Sequence, residues 1–418
     1  MVGTPVLSVV EAAVDVVDPG EVGFDVGRLA GMDRFLRSYV DDGRIPGWSL
    51  LISRHGRVAH RSNYGRRDLE ADLPIEPDTL FRIYSMTKPI TSVAAMMLYE
   101  QAAFALDDPI SQFIPEFADV RVYVSGPAEN PVTAPASEPI RMRHLLTHTS
   151  GLAYGDGDHP VDEIYRSAGF DAKTLPNERG FAPEGMDLAA CCSVWARLPL
   201  LLQPGSGWNY GVSTDVLGRV VEVISGQSLD DFFQTRILGP LGMTDTGFTV
   251  SPDRVGRLAR LYTPHPGTGL AYRPPGLGDD VTHGTRPLSG GAGLIGSIDD
   301  YHRFTQFLLG GGELDGVRLL SSRTLAYMTR NHLPGGGDLA AADKPGQGFG
   351  LGFAVLVDPV ASGTVSTPGE FGWSGAASTT FWVDPIEQLA VIFMTQLLPS
   401  GTYPFRSQLR QLTYAALI

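Results

Sequence analysis

Short segments that alternate or run apolar, the mark of a strand, are concentrated near the two ends of this chain. Trp48 to Ser53 and Val58 to Tyr64 flank Arg54-His55-Gly56-Arg57 and predict a hairpin. Phe349 to Val357, Ala377 to Val383 and Leu389 to Thr395 predict strands near the C-terminus. Such strands bury their apolar faces best in one shared sheet, so the termini are expected to meet and the middle to be an insertion. Helical spacing in Leu29, Met32, Phe35, Leu36, Tyr39 and Val40, and again in Tyr403 to Ala416, supplies terminal helices to cover that sheet.

Between the ends, residues 65–80 read as a polar loop. Leu188 to Leu198, Asp215 to Ser225, Leu229 to Leu238, Asp299 to Leu309 and Ser322 to Met328 read as helices bounded by Gly, Pro or polar caps. Residues 120–140 and 153–190, rich in Pro, Gly, Ala and Ser, are expected to be irregular. No repeat of 20–50 residues is visible.

Chemistry concentrates in Phe81-Arg82-Ile83-Tyr84-Ser85-Met86-Thr87-Lys88-Pro89. Proline is tolerated only in the first turn of a helix, so Pro89 fixes a helix start near Ser85, and Ile90, Val93, Ala94, Met97 and Leu98 continue it as a buried helix. Residues three apart share a face and helical side chains lean toward the N-terminus, which brings the Lys88 amine back to the Ser85 hydroxyl. A nucleophile then stands beside a base, and the unpaired N–H groups of the helix start can face a developing oxyanion. The chain has only three lysines against 29 arginines, which makes an accidental S-x-x-K uncommon.

Further along, Tyr210 sits in the glycine-rich turn Gln203 to Ser213, where a phenol can enter a cleft as a proton shuttle or simply pack on Trp208. Gly372-Trp373-Ser374-Gly375-Ala376 is expected to open the strand containing Phe381, as an edge that offers a second oxyanion donor. His144 and His148 have metal-site spacing but lack the Glu and the third ligand, so a capped helix end at 147–150 is the better reading. Gly290-Gly291-Ala292-Gly293 lacks the lysine of a phosphate loop, and the Asp pairs at 230–231, 279–280 and 299–300 read as caps or solvated loops. G-x-S-x-G is absent.

A net charge of −14 with no basic run argues against nucleic acid as a partner. No run of about 18 apolar residues predicts a membrane span, and residues 1–25 lack the positive start of a secretory signal. Cys191 and Cys192, the only cysteines, are adjacent and predict neither a disulfide nor a zinc site, so a cytoplasmic home is expected, with no metal or other cofactor.

Ser-Met-Thr-Lys at 85–88, Tyr-Gly-Val at 210–212 and Trp-Ser-Gly at 373–375, in this order, resemble the serine β-lactamase and penicillin-recognising superfamily. They are most similar to the carboxylesterases with a class C β-lactamase fold, the family VIII esterases. His144 to Leu152, Pro240 to Thr246 and Ser289 to Leu294 extend the resemblance over nearly the whole chain. It implies an α/β plus α fold of the β-lactamase/transpeptidase kind: an antiparallel sheet flanked by terminal helices (residues 1–80 and 291–418) with a mostly helical inserted domain (81–290).

The resemblance also implies Ser85 as acylated nucleophile, Lys88 as its partner, Tyr210 as shared base, and the N–H groups of Ser85 and Ala376 as the oxyanion hole. Trp373, Ser374, Gly375 and Val212 would touch substrate. Trp373 stands where a lactamase carries a lysine and Val212 where it carries an asparagine; losing those polar contacts costs a β-lactam about a hundredfold in affinity, whereas an indole offers apolar area to an uncharged group. The expected reaction is hydrolysis of short- to medium-chain acyl esters, a small-molecule substrate. A weak cephalosporinase, an acyltransferase and a non-catalytic penicillin-binding-like module are the alternatives, and the oligomeric state is open.

Overall fold

A computed structural model describes residues 15–172, 182–183, 185–274, 277–278 and 287–418. Part of the irregular 153–190 segment and the Asp279–Asp280 pair lie outside the described residues.

The termini share one eight-stranded antiparallel sheet. Its order is Gln347–Phe349, Ala354–Leu356, Phe371–Ser374, Thr380–Asp384, Leu389–Met394, Gly47–Arg54, Arg57–Asp68 and Leu73–Pro74. The two ends of the chain join where Leu51 pairs with Ile392 and Ile52 with Val391. Alternation then assigns the faces. Trp48, Leu50, Ile52, Trp382, Val391 and Phe393 pack against the helices Val26–Asp41 and Phe405–Ala415, through Met32, Leu36, Tyr39, Phe405 and Leu409. Leu51, Phe381, Val383, Ile392 and Met394 face the other way, into the larger core that includes Tyr301, Phe304 and Phe307 of helix Ile298–Leu309. At ~1.5–3 kcal/mol for each fully buried large apolar side chain, these two layers hold the termini together.

Helix Thr87–Glu100 carries no polar face: every residue from Thr87 to Leu98 is buried, as suits a helix enclosed on all sides. Helix Ser213–Ser225 packs beside it, with Val216, Leu217, Val220 and Val221 in the same core. Pro89 is the third residue of its helix, and Ser85 lies in a short 3-10 turn, Tyr84–Met86, immediately before it.

Several expectations need correction. Phe349 to Val357 is two strands, Gln347–Phe349 and Ala354–Leu356, because the chain reverses between them at Gly352, whose φ is +99°. Trp373 and Ser374 end their own strand, Phe371–Ser374, and do not open the Phe381 strand; that strand runs Thr380–Asp384 after a turn at 375–379, in which Ser378 takes φ +70°. The Trp373 strand is also interior, paired with Ala354–Leu356 on one side and Thr380–Asp384 on the other. The strand from Arg57 continues past Gly65 to Asp68, and its polar end is accommodated at the sheet margin, where Arg66 pairs with Pro74. Residues 120–140 contain a hairpin, Arg121–Ser125 with Val132–Pro135. Leu229 to Leu238 is an α-turn, Leu229–Phe233, followed by a π-turn, Gln234–Leu238.

Candidate active site

The turn that carries Ser85 is held from several sides. Ile83 N–H donates to Leu294 O at 3.1 Å, Leu294 N–H to Thr87 Oγ1 at 3.1 Å, and Tyr301 OH to Met86 O at 2.9 Å. Tyr84 takes φ +45°, a left-handed conformation costly for a residue of its size. Strain there is compatible with a turn fixed by its neighbours.

Lys88 is 1% exposed, and its amine meets three oxygens: Ser85 Oγ at 3.2 Å, Tyr154 OH at 2.9 Å and Gly291 O at 2.8 Å. A carbonyl can only accept, so one N–H is committed to Gly291. The other two contacts are hydroxyls, which can give or take a proton. Lys88 Nζ also lies 4.6 Å from the centre of the Tyr210 ring, but among the described residues the Tyr210 hydroxyl hydrogen-bonds neither Lys88 Nζ nor Ser85 Oγ, so the expected contact of this phenol with both is not made. The Tyr210 hydroxyl accepts from Trp373 Nε1 at 3.2 Å, a bond that strengthens if the phenol gives up its proton.

Sequence reasoning missed Tyr154, the phenol that bonds Lys88 directly. Its sequence signal is the continuation of the His144 to Leu152 stretch through Ala153 to Tyr154. Tyr154 OH reaches Asp215 Oδ2 at 3.4 Å, and Asp215, fully buried, also accepts from Ser289 Oγ at 2.5 Å and Gly291 N–H at 3.1 Å. Burial raises the Asp215 pKa against the opposing pull of the Lys88 charge and these hydrogen bonds. Burial, then the charge of Asp215, pushes the Tyr154 pKa well above its ordinary value, so this phenol keeps its proton. Gly291 therefore joins the pair, its N–H on the carboxylate and its carbonyl on the amine. A Cβ there would strike Asp215 and the Tyr154 hydroxyl. We expect Gly291→Ala to lower kcat by about tenfold or more with a smaller change in KM, as measured by steady-state kinetics with circular dichroism as the fold control.

The second turn, 375–379, lies directly against the first. Thr379 Oγ1 donates to Ile83 O at 3.5 Å, and a side chain at Gly375 would strike that same carbonyl. Among the described residues, neither Ser85 N–H nor Ala376 N–H donates to a protein acceptor. Ser85, Tyr210, Trp373, Ser374, Gly375 and Ala376 all line one cleft of about 760 Å³. Val212 does not: it is fully buried at the start of helix Ser213–Ser225, where its apolar side chain belongs to the core.

His148 lies behind the cleft wall at 1% exposure, its ring 4.8 Å from that of Tyr210. Burial, reinforced by the Lys88 charge, holds its pKa well below the usual histidine value. His144 is lowered to about 4, mainly by burial, and accepts Arg141 N–H at 3.2 Å as part of a helix start.

Residues 32–415 match the Beta-lactamase family model. The chain belongs to the β-lactamase family. Esterase EstB of Burkholderia gladioli is 32% identical over 421 residues, covering 96% of this chain and 98% of EstB. Protein Rv1367c of Mycobacterium tuberculosis is 37% identical over 383 residues, 89% of this chain and 90% of its own. Among solved structures, EstCE1, described as a hydrolase with promiscuous acyltransferase activity, superposes with a TM-score of 0.75 at 29% identity, covering 93% of this chain and 99% of EstCE1. Within the family the chain stands with the family VIII-like carboxylic ester hydrolases, and its fold is that of the β-lactamases and transpeptidases. Among the described residues, no helix is long and apolar enough to cross a membrane.

Proposed function

We propose that this enzyme hydrolyses short- to medium-chain acyl esters through an acyl-enzyme on Ser85. The observation that carries the reading is a buried lysine amine 3.2 Å from a serine hydroxyl that opens on a cleft walled by indole and phenol. Ser85 Oγ attacks the ester carbonyl and its proton passes to the unprotonated Lys88 amine, while Tyr210 gives its phenolic proton to the leaving oxygen and is reprotonated from Lys88. The carbonyl oxygen becomes an oxyanion received by the N–H groups of Ser85 and Ala376. Collapse breaks the bond to the alcohol, which leaves with the proton, and water then repeats the sequence on the acyl-enzyme. Tyr210 is the phenol exposed to the leaving group, and Tyr154 holds Lys88 from below. Trp373 supplies apolar wall to an acyl or alcohol group.

Incubation with a fluorophosphonate is expected to add one phosphonyl group to the peptide containing Ser85 and to stop p-nitrophenyl butyrate hydrolysis in parallel. Inhibition with the label on another residue would reject the assignment, as would full activity of the Ser85-labelled enzyme. A second reading, acyl transfer, is favoured by the likeness to EstCE1. In that case adding methanol diverts the butyryl group into methyl butyrate in greater proportion than its molar share against water predicts.

A further inference from the structure

The far wall of the cleft is cationic, although the chain as a whole carries a charge of −14. Lys344, one of only three lysines, places its ammonium 5.1 Å from the centre of the Trp373 indole, the same indole whose N–H bonds Tyr210. Arg406, on helix Phe405–Ala415, also lines the cleft; it donates through Nη2 to Gly375 O at 2.8 Å and Thr379 O at 3.2 Å, and among the described residues its buried Nε has no hydrogen-bond partner. Neither cation has a carboxylate partner among the described residues. The remaining cation on this wall, Arg410, is neutralised by Glu370 at 2.7 Å. Among the described lining residues the other acid, Asp156, is on the Lys88 side, where Asp162, Arg166 and Lys88 act on it. Lys344 as a residue is exposed, yet crowding at its ammonium and the like charge of Arg406 pull its pKa below the usual lysine value.

Two unneutralised cations, one anchored to the turn that carries Ala376 N–H and the other on the indole beside Tyr210, make a receptor for a negative group on a bound ester. We infer that Lys344 and Arg406 form a carboxylate-binding subsite, so that the preferred substrates are esters bearing a free carboxylate besides the scissile bond. This rests on the esterase reading and narrows it. The apolar wall of Trp373 receives the carbon chain and the cations receive its charged end. Arg406 is held by two carbonyls, whereas among the described residues the Lys344 ammonium makes no hydrogen bond, so Lys344 is the residue to vary.

The experiment compares isosteric pairs on the full chain: monomethyl succinate against methyl 4-methylpentanoate for charge on the acyl side, and acetoxyacetate against isobutyl acetate for charge on the alcohol side. In at least one pair, kcat/KM for the anion is expected to exceed that for the neutral ester by about tenfold. That ratio is expected to fall about tenfold in Lys344→Met and further in Lys344→Glu; a folding defect would lower both members of a pair alike and leave the ratio unmoved. Preference for the neutral ester in both pairs, or a ratio insensitive to both substitutions, would overturn the subsite while leaving the esterase intact. Failure to hydrolyse any of the four esters, or p-nitrophenyl butyrate, would instead remove the esterase reading beneath it.

Discussion

Ser85→Ala is expected to lower kcat/KM for p-nitrophenyl butyrate by ~10⁴-fold or more while leaving the fold intact. Among the described residues the hydroxyl's one hydrogen bond is with Lys88, whose amine keeps Tyr154 and Gly291 as partners when it is gone. Thermal unfolding of Ser85→Ala should therefore differ little from that of the parent. Lys88→Met should cost a comparable factor in rate but also stability, because it leaves the Gly291 carbonyl and the Tyr154 phenol without their buried partner and removes the positive charge that opposes the raised Asp215 pKa. In the proposed mechanism Ser85 and Lys88 act as one unit, so the double variant should be scarcely slower than either single one. Independent contributions would multiply; a double variant slower by the product of the two factors would show that Lys88 assists catalysis without taking the Ser85 proton.

Much of this arrangement could be read from residue order alone, for identifiable reasons. Pro89 can stand only in the first turn of a helix, and that constraint located the Ser85 turn. The strand before His55-Gly56 and those ending at Asp384 and Met394 are buried almost throughout, the last a continuous apolar run, so the joining of the chain ends followed from burial. Trp373 misled because a run through Trp373, Ala376, Ala377 and Phe381 looks continuous, whereas the reversal depends on Ser378 adopting φ +70°, a choice made by tertiary contacts. Val212 stands where a lactamase carries an asparagine, but a valine at a helix start gains more by burial than by facing a cleft. Tyr154, Asp215 and Gly291 lie far apart along the chain and carry no shared spacing. Only packing brings them to Lys88.

The two phenols around Lys88 give the sharpest division of labour. Tyr210 lines the cleft, and its oxygen holds the Trp373 N–H, leaving its own proton available to a departing alkoxide. Tyr154 is nearly enclosed, bonded to Lys88 at 2.9 Å and within 3.4 Å of Asp215, and burial with that neighbouring carboxylate keeps it protonated. A group that holds its proton so firmly orients the amine without accepting the serine's proton. Tyr210→Phe is thus expected to lower kcat by ~10²–10⁴-fold with little change in KM, the range for losing a positioned acid–base group. Tyr154→Phe keeps the ring and removes only the hydroxyl, for an expected loss of about tenfold in kcat. The loss at Tyr210 should shrink for p-nitrophenyl esters, whose leaving group needs no proton, and grow for simple alkyl esters, whereas the loss at Tyr154 should be the same for both. If Tyr154→Phe proves the costlier change and shows the stronger dependence on leaving group, the proton moves through the buried phenol and the two roles are exchanged.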